Sequence, residues 1–299
     1  MSGEVVPPTC APDVGQDHAV GWVGMGAIGL PMAARVAAAG WRVFGYDPLP
    51  GQQDKARHAN VDVVHSPAEA ADRAEGLVVC VVRTLAQVEA ALLGDGGVVR
   101  REAPPLAIVM SSVGAVGLAE LAGRVRRAGG RVLDAPILGN PHSAEAGTLT
   151  VVVSGATEDV TAARPLLEHL SRSVVVLGEE VGTAQTVKMV SQLRQIVGML
   201  ATIEGVELAV RRGAAEREVL AVLAATEPSW ATDNWDYARD LWERRDRSSS
   251  LGIFAKDLAA AVSDARASGL ALRLTGAAHD LIEARLGADV ERGPDRSTA

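Results

Sequence analysis

Cysteine is nearly absent from this chain of 299 residues: Cys10 lies in a polar opening segment and Cys80 inside a hydrophobic run. Two such separated residues exclude a disulfide framework and a zinc cluster, and a reducing cytoplasm is the expected setting. The six histidines are scattered without His-x-x-x-His or His-Cys spacing, so no metal is expected. Dense basic runs are missing too. The formal charge is −8, and the short groups Arg124, Arg126, Arg127 and Arg244, Arg245, Arg247 read as solvated helix faces, which excludes a track for nucleic acid. No stretch reaches the roughly 18 consecutive apolar residues of a membrane span. The opening MSGEVVPPTCAPDVGQDHA has neither the basic start nor the apolar centre of a secretion signal, so no membrane partner is expected.

What is present describes a folded protein. Apolar residues make up 48% of the chain and charged residues 22%, far from the composition of disorder. The length suits two domains. After a flexible leader (1–17), β-branched runs alternate with helical segments: Val20 to Val23, Trp41 to Tyr46, Val61 to Val64, Leu77 to Val82, Ala107 to Met110 and Arg131 to Pro136. Such alternation predicts an α/β Rossmann-type doubly wound parallel sheet over 18–181. Two further strands, Thr148 to Ser154 and Ser173 to Gly178, are expected to complete it. From 182 to 286 only helical periodicity remains, which predicts an all-α C-terminal domain entered by a long helix from Thr183 to Arg212. The polar stretch 287–299 reads as a flexible tail.

The segment VGWVGMGAIGLPMAARVAAAG sets Gly24, Met25, Gly26, Ala27, Ile28 and Gly29 between a strand and a helix. In a dinucleotide-binding turn the first glycine permits the tight bend, the second admits a pyrophosphate, and the third lets helix pack on strand. Amides at the helix start then hold the phosphate charge. Asp47 closes the next strand, where a carboxylate bonds both ribose hydroxyls and repels a 2′-phosphate, favouring NAD over NADP. Alternatively, Asp47 only begins a turn before Pro48.

Lys188 sits in a proline-free, largely apolar helix, with Gln185, Gln192 and Gln195 on its own side. One reading is a polar stripe facing water. The other is acid–base chemistry: hydride transfer leaves a proton to be moved at the reacting oxygen, and a partly buried lysine, its pKa lowered from about 10.4, can move it.

Together with the glycine turn and the lysine helix, the segment DAPILGNPHSAEAGTLTVVVSG (Asp134 to Gly155) resembles the β-hydroxyacid dehydrogenases, the family of 3-hydroxyisobutyrate dehydrogenase, tartronate semialdehyde reductase and, more distantly, 6-phosphogluconate dehydrogenase. The resemblance covers roughly Val20 to Leu286. It implies that the loop after Asp134, Ala135 and Pro136 binds a substrate carboxylate, that Lys188 is the catalytic acid–base, and that Gly182 opens its helix. Leu138 and Gly139 stand where the family has serine and glycine, Asn140 replaces a second glycine, and Gln192 replaces an asparagine one turn after the lysine. Asn140 is open to two readings, a replacement amide donor or a left-handed turn residue. Ser112 falls where the family has a hydroxyl near the nicotinamide, and Lys256, in a Lys-Asp-Leu segment, resembles a residue reaching cofactor and substrate. Val82 and Arg83 end the fourth of these strands beside the nicotinamide. Arg83, in place of proline, meets either a second substrate anion or a salt-bridge partner at the rim.

The resemblance therefore implies an NAD(P)-dependent oxidoreductase that interconverts a small β-hydroxy acid and its semialdehyde or keto form. It also implies a homodimer or homotetramer paired through the helical domain. Trp230, Trp235 and Trp242 in that domain read as core or subunit contact. Two alternatives stay open: an imine reductase, although those enzymes carry aspartate or tyrosine in place of the lysine, and a non-catalytic NAD-binding regulator.

Overall fold

A computed structural model describes residues 4–6, 18–99, 103–226 and 229–287. Most of the opening segment, with Cys10, and the tail beyond 287 lie outside the described residues. The first strand, β1 (Glu4–Val6), belongs to a second sheet. The main sheet follows as β2 (Ala19–Val23), α1 (Gly29–Ala38), β3 (Arg42–Tyr46), α2 (Pro50–His58), β4 (Asp62–Val63), α3 (Pro67–Arg73), β5 (Leu77–Cys80), α4 (Leu85–Leu93), β6 (Leu106–Val109), α5 (Ala115–Arg127) and β7 (Arg131–Asp134). Its strands are all parallel, in the order β4-β3-β2-β5-β6-β7, as the alternation predicts. The order reverses between β2 and β5, which is where a doubly wound sheet opens a crevice at its carboxyl edge.

Strand periodicity divides the core into two layers. Val20, Trp22, Val79 and Ile108 pack on one face of the sheet, and Val23, Val78, Cys80 and Val109 on the other. Burial pushes the Cys80 thiol up to about 12, so the side chain behaves as a small hydrophobe.

The expected last two strands do not extend this sheet. After β7 the chain forms β8 (Ile137–Leu138), α6 (Pro141–Ala146), β9 (Leu149–Val153), α7 (Thr157–Leu170) and β10 (Ser171–Val176). These strands make a separate sheet, β1-β10-β9-β8, in which only β9 and β10 run parallel. The reason is the length of the connection. A parallel crossover needs about a dozen residues or more, and the link from β8 to β9 holds only the short α6 and its flanks, so the strands pair antiparallel. Among the described residues one bridge joins the sheets, with Asp134 N donating to Ser154 O at 3.0 Å and Ser154 N to Asp134 O at 2.8 Å.

Helices follow: α8 (Thr183–Arg211), α9 (Glu216–Thr226), α10 (Trp230–Asp233), α11 (Trp235–Arg244), α12 (Ser250–Ala267) and α13 (Arg273–Gly287). The chain divides into two compact units, Met1–Lys188 and Met189–Ala299. In the second unit Ile196, Met199, Ile203, Trp235, Phe254 and Ile282 form the core, with Trp230 and Trp242 packed against it. The Arg285 guanidinium covers Trp242 at 4.8 Å, completing the core reading of the three tryptophans. Among the described residues no helix is long and apolar enough to cross a membrane.

In the first unit, α1 is tied to α6 and α7 through Arg35. Its Nε donates to the His169 carbonyl at 2.6 Å and Nη1 to the Glu145 carbonyl at 3.3 Å. The guanidinium fills the space over Gly147, where an added Cβ would stand 2.1 Å from Cζ. The His169 ring is buried edge-on to Trp41, 6.3 Å away, and its Nε2 has no partner among the described residues. Burial, and next the Arg35 charge, lower its pKa from the ordinary 6.5. The folded state therefore resists a proton that the unfolded chain accepts, so stability is unaffected above pH 6.5 and falls as pH drops below it. The urea midpoint should begin to decline as pH falls through about 6.5, and His169→Phe should flatten that decline.

Candidate active site

The carboxyl ends of β2, β5, β6 and β7 share one edge, because the strands are parallel. At the first of them Gly24 adopts φ +96°, and its N–H donates to the Tyr46 carbonyl at 2.9 Å. A Cβ there would lie 2.1 Å from the Val81 carbonyl, so this glycine lets the ends of β2 and β5 meet. A Cβ on Gly29 would lie 2.3 Å from the Gly24 carbonyl, which is the close helix–strand approach expected of the third glycine. Gly26 has no atom within 4 Å of its missing Cβ, leaving an open cradle over the turn. Ile28, at the start of α1, gives no side-chain cap; Leu30 N is bonded to the Gly26 carbonyl at 3.1 Å and Pro31 has no N–H, so the amides open to an anion are those of the turn ahead of them. Ala27 is exposed at the turn while Met25 is buried.

Asp47 begins a local turn before Pro48 and also reaches back to the glycine turn. Its Oδ1 accepts from Leu49 N at 3.0 Å, which is the local turn, and its Oδ2 accepts from Met25 N at 2.8 Å, which braces the glycine turn. With 7% exposure, the carboxylate is set at the end of β3 with a further lone pair on each oxygen.

Next along the edge, Val82 N donates to Ser111 Oγ at 2.8 Å, joining the end of β5 to that of β6. Arg83 N donates to Gln87 Oε1 at 2.9 Å as part of the start of α4, and the Arg83 side chain is exposed. Ser112 is half-buried just past β6.

The lysine helix starts at the end of β7. Asp134 is fully buried, and its Oδ2 accepts from Gly182 N at 2.9 Å, Gln185 N at 3.2 Å and Ser154 Oγ at 3.1 Å. Ser154 Oγ also accepts from Ala184 N at 3.0 Å. A strand-end carboxylate and a strand-end hydroxyl thus cap α8 from outside it, and the positive end of the helix faces the carboxylate. Burial raises the Asp134 pKa, and the hydrogen bonds from Gln185, Gly182 and Ser154 oppose that rise. Gly182 takes φ +105° under the Ala115 carbonyl, 2.9 Å from where its Cβ would be, so the glycine six residues before the lysine is sterically required. Lys188 and Gln185 are buried, 7% and 2% exposed. A water-facing polar stripe through them is thereby ruled out.

Leu138 is half-buried at the end of β8, and Gly139 and Asn140 are exposed. Asn140 is not left-handed: with φ −128° it is extended and caps α6, its Oδ1 accepting from Ser143 N at 2.9 Å and Ser143 Oγ at 3.2 Å. That turn reading is therefore wrong, and the physical reason is the N-cap demand of a helix opening on Pro141. In the second unit Gln192 Nε2 donates to Asp257 Oδ2 at 2.7 Å, and Lys256 Nζ lies 2.9 Å from Asp257 Oδ1. Asp257, 1% exposed, went unnoticed in the sequence, as did the capping roles of Asp134 and Ser154. The one available signal was the adjacency of Asp257 to Lys256.

Residues 19–178 match the family model described as the NAD binding domain of 6-phosphogluconate dehydrogenase. Residues 182–299 match the one described as NAD-binding of NADP-dependent 3-hydroxyisobutyrate dehydrogenase. An L-threonate dehydrogenase of Cupriavidus necator is 30% identical over 88% of this chain and 88% of its own length. The mitochondrial 3-hydroxyisobutyrate dehydrogenase of Mus musculus is 26% identical over 91% and 83%, respectively. The crystal structure of a 3-hydroxyisobutyrate dehydrogenase from Salmonella typhimurium superimposes with a TM-score of 0.80 at 26% identity, covering 93% of this chain and 96% of that one.

The open cradle at Gly26, the uncapped start of α1 and the carboxylate at Asp47 fit the NAD(P) that these matches imply. Gly26→Val should therefore shift stability by less than about 0.5 kcal/mol while weakening NADH binding at least about tenfold, measured by urea unfolding and fluorescence titration. Gly24→Ala should behave oppositely, losing about 2 kcal/mol or more of stability.

Proposed function

Since this chain belongs to the β-hydroxyacid dehydrogenase family, we propose that it interconverts a small β-hydroxy acid and its semialdehyde or keto form. Lys188 carries the proton. The observation behind this reading is a lysine only 7% exposed, on a helix whose first turn is capped by Asp134 and Ser154 at the ends of β7 and β9. NAD(P), when bound, takes up or supplies the hydride. In oxidation the alcohol carbon loses its hydride, and the hydroxyl proton passes to the neutral amine of Lys188. In reduction the Lys188 ammonium returns that proton to the carbonyl oxygen. Burial keeps competing water from the amine.

Ser112, at the end of β6, serves the substrate and the nicotinamide side of the site, with Val82 and Arg83 beside it. The loop Leu138, Gly139 and Asn140 receives the acid. Leu138 places hydrocarbon where the family has a hydroxyl, which favours an apolar group on the substrate carbon next to the carboxylate. Asn140, its oxygen committed to Ser143, offers its Nδ2–H to the carboxylate. Gln192, held by Asp257, is assigned to substrate and Lys256 to cofactor, as the family resemblance implies. Asp47 gives NAD priority over NADP, because a ribose 2′-phosphate would meet its carboxylate.

The chain assembles with itself through the second unit. Leu208, Val210 and Val222 are exposed there, and α9 has no fully buried residue although seven of its eleven residues are apolar. A reducing, cytoplasmic setting suits the buried thiol of Cys80.

Lys188→Ala should keep NADH binding and lose at least about 1,000-fold in kcat; near-normal turnover would remove the role. NADH oxidation against a panel of small semialdehydes and cyclic imines should show aldehyde turnover. Imine turnover would point instead to the imine reductases, and cofactor binding with neither activity to a regulator. kcat/KM should be higher with NADH than with NADPH. Light scattering should give a multiple of 31.0 kDa.

A further inference from the structure

The side chain of Gln185 has every hydrogen-bonding group engaged. Its Nε2 donates to the Ser111 carbonyl at 3.0 Å and to Asp134 Oδ1 at 2.9 Å, and its Oε1 accepts from Val113 N at 3.0 Å. An amide has two N–H donors, and both are used. Ser111 and Val113 flank Ser112, so the amide grips the backbone on both sides of that residue. The main chain of Gln185 is bound as well, its N–H donating to Asp134 Oδ2 at 3.2 Å. Lys188 stands three residues further along the same helical face. With 2% exposure, the amide has no alternative partner in water, so breaking any of these bonds leaves a buried polar group unsatisfied.

Resting on the proposed role of Lys188, we infer that Gln185 is a positioning residue that fixes Lys188 and Ser112 relative to one another. One planar amide sets the rotation of the first turn of α8 against the ends of β6 and β7. The lysine three positions on inherits that rotation, and Ser112 is held in the loop the same amide clasps. Neither glutamate nor a hydrocarbon can replace it. Glutamate would set a second carboxylate against Asp134 and lose both donors, whereas methionine would strand the Ser111 carbonyl, Val113 N–H and Asp134 Oδ1.

The test compares wild type with Gln185→Met, Gln185→Glu and the double variant Gln185→Glu/Asp134→Asn, in which a donor again faces an acceptor. Three quantities are read: NADH binding, steady-state kinetics across pH with the aldehyde turned over in the panel, and the 13C-methyl resonance of reductively dimethylated Lys188. The chain has only three lysines, Lys55, Lys188 and Lys256, and Lys188→Arg identifies the signal.

In Gln185→Met, NADH binding should stay within about threefold, kcat should fall on the order of 100-fold with KM little changed, and the pH dependence of kcat and the Lys188 resonance should both be displaced. The double variant should recover at least about tenfold of the kcat lost in Gln185→Glu. Wild-type kcat, pH profile and resonance in a folded Gln185→Met would overturn the proposal, as would NADH binding lost in proportion to kcat. Should Gln185→Met not fold, failure of the double variant to improve on Gln185→Glu overturns it. If Lys188→Ala keeps its turnover, the catalytic reading fails by itself, and the Lys188 resonance in Gln185→Met still decides whether Gln185 positions that side chain.

Discussion

A buried carboxylate at the end of a strand, bonded to the start of a helix, is the interaction on which the first unit depends. Asp134 leaves β7 with no room for solvent, and four neutral donor groups meet its two oxygens. Desolvation alone makes such a charge costly. The helix amides and their aligned dipoles lower that cost, and in doing so they bind α8 to the sheet edge where the glycine turn also emerges. Removing Asp134 would leave the Gly182, Ala184 and Gln185 region short of partners, because Ser154 is itself oriented by the same carboxylate.

This arrangement accounts for the spacing of the motif residues in the chain. Asp134 must end a strand. Gly182 must turn left-handed under Ala115 to bring its amide to that carboxylate, and Gln185 must follow three positions later to reach Ser111 and Val113. Lys188 then arrives one helical step beyond, out of water. The spacing of glycine and lysine is thus the geometry of a cap followed by one and a half turns of helix.

The main sheet was legible because each strand is a short apolar run between helical segments, and because Gly24, Gly26 and Gly29 occur in a strand–turn–helix context. Asp47 was legible as a turn residue before Pro48, whereas its bond to Met25 N was not. The second sheet was not, since Leu149–Val153 and Ser171–Val176 have the same β-branched composition as the parallel strands, and only the short link after Leu138 distinguishes their pairing. Asn140 misled because asparagine serves both left-handed turns and helix caps, and Pro141 was the sign that chose the cap. Gln185 was seen only as a member of a helical stripe. Its partners lie 51 to 74 positions away in sequence, a distance at which local spacing carries no information.

Arg35 and Gly147 illustrate a different kind of dependence. The guanidinium occupies the volume that any side chain at 147 would need, while its nitrogens hold two carbonyls of neighbouring segments. Neither position can drift alone. Gly147 also stands at φ +66°, the left-handed cap that ends α6, so a shorter side chain at 35 would open the space without easing the backbone, and asparagine is the replacement that such a change would first admit at 147.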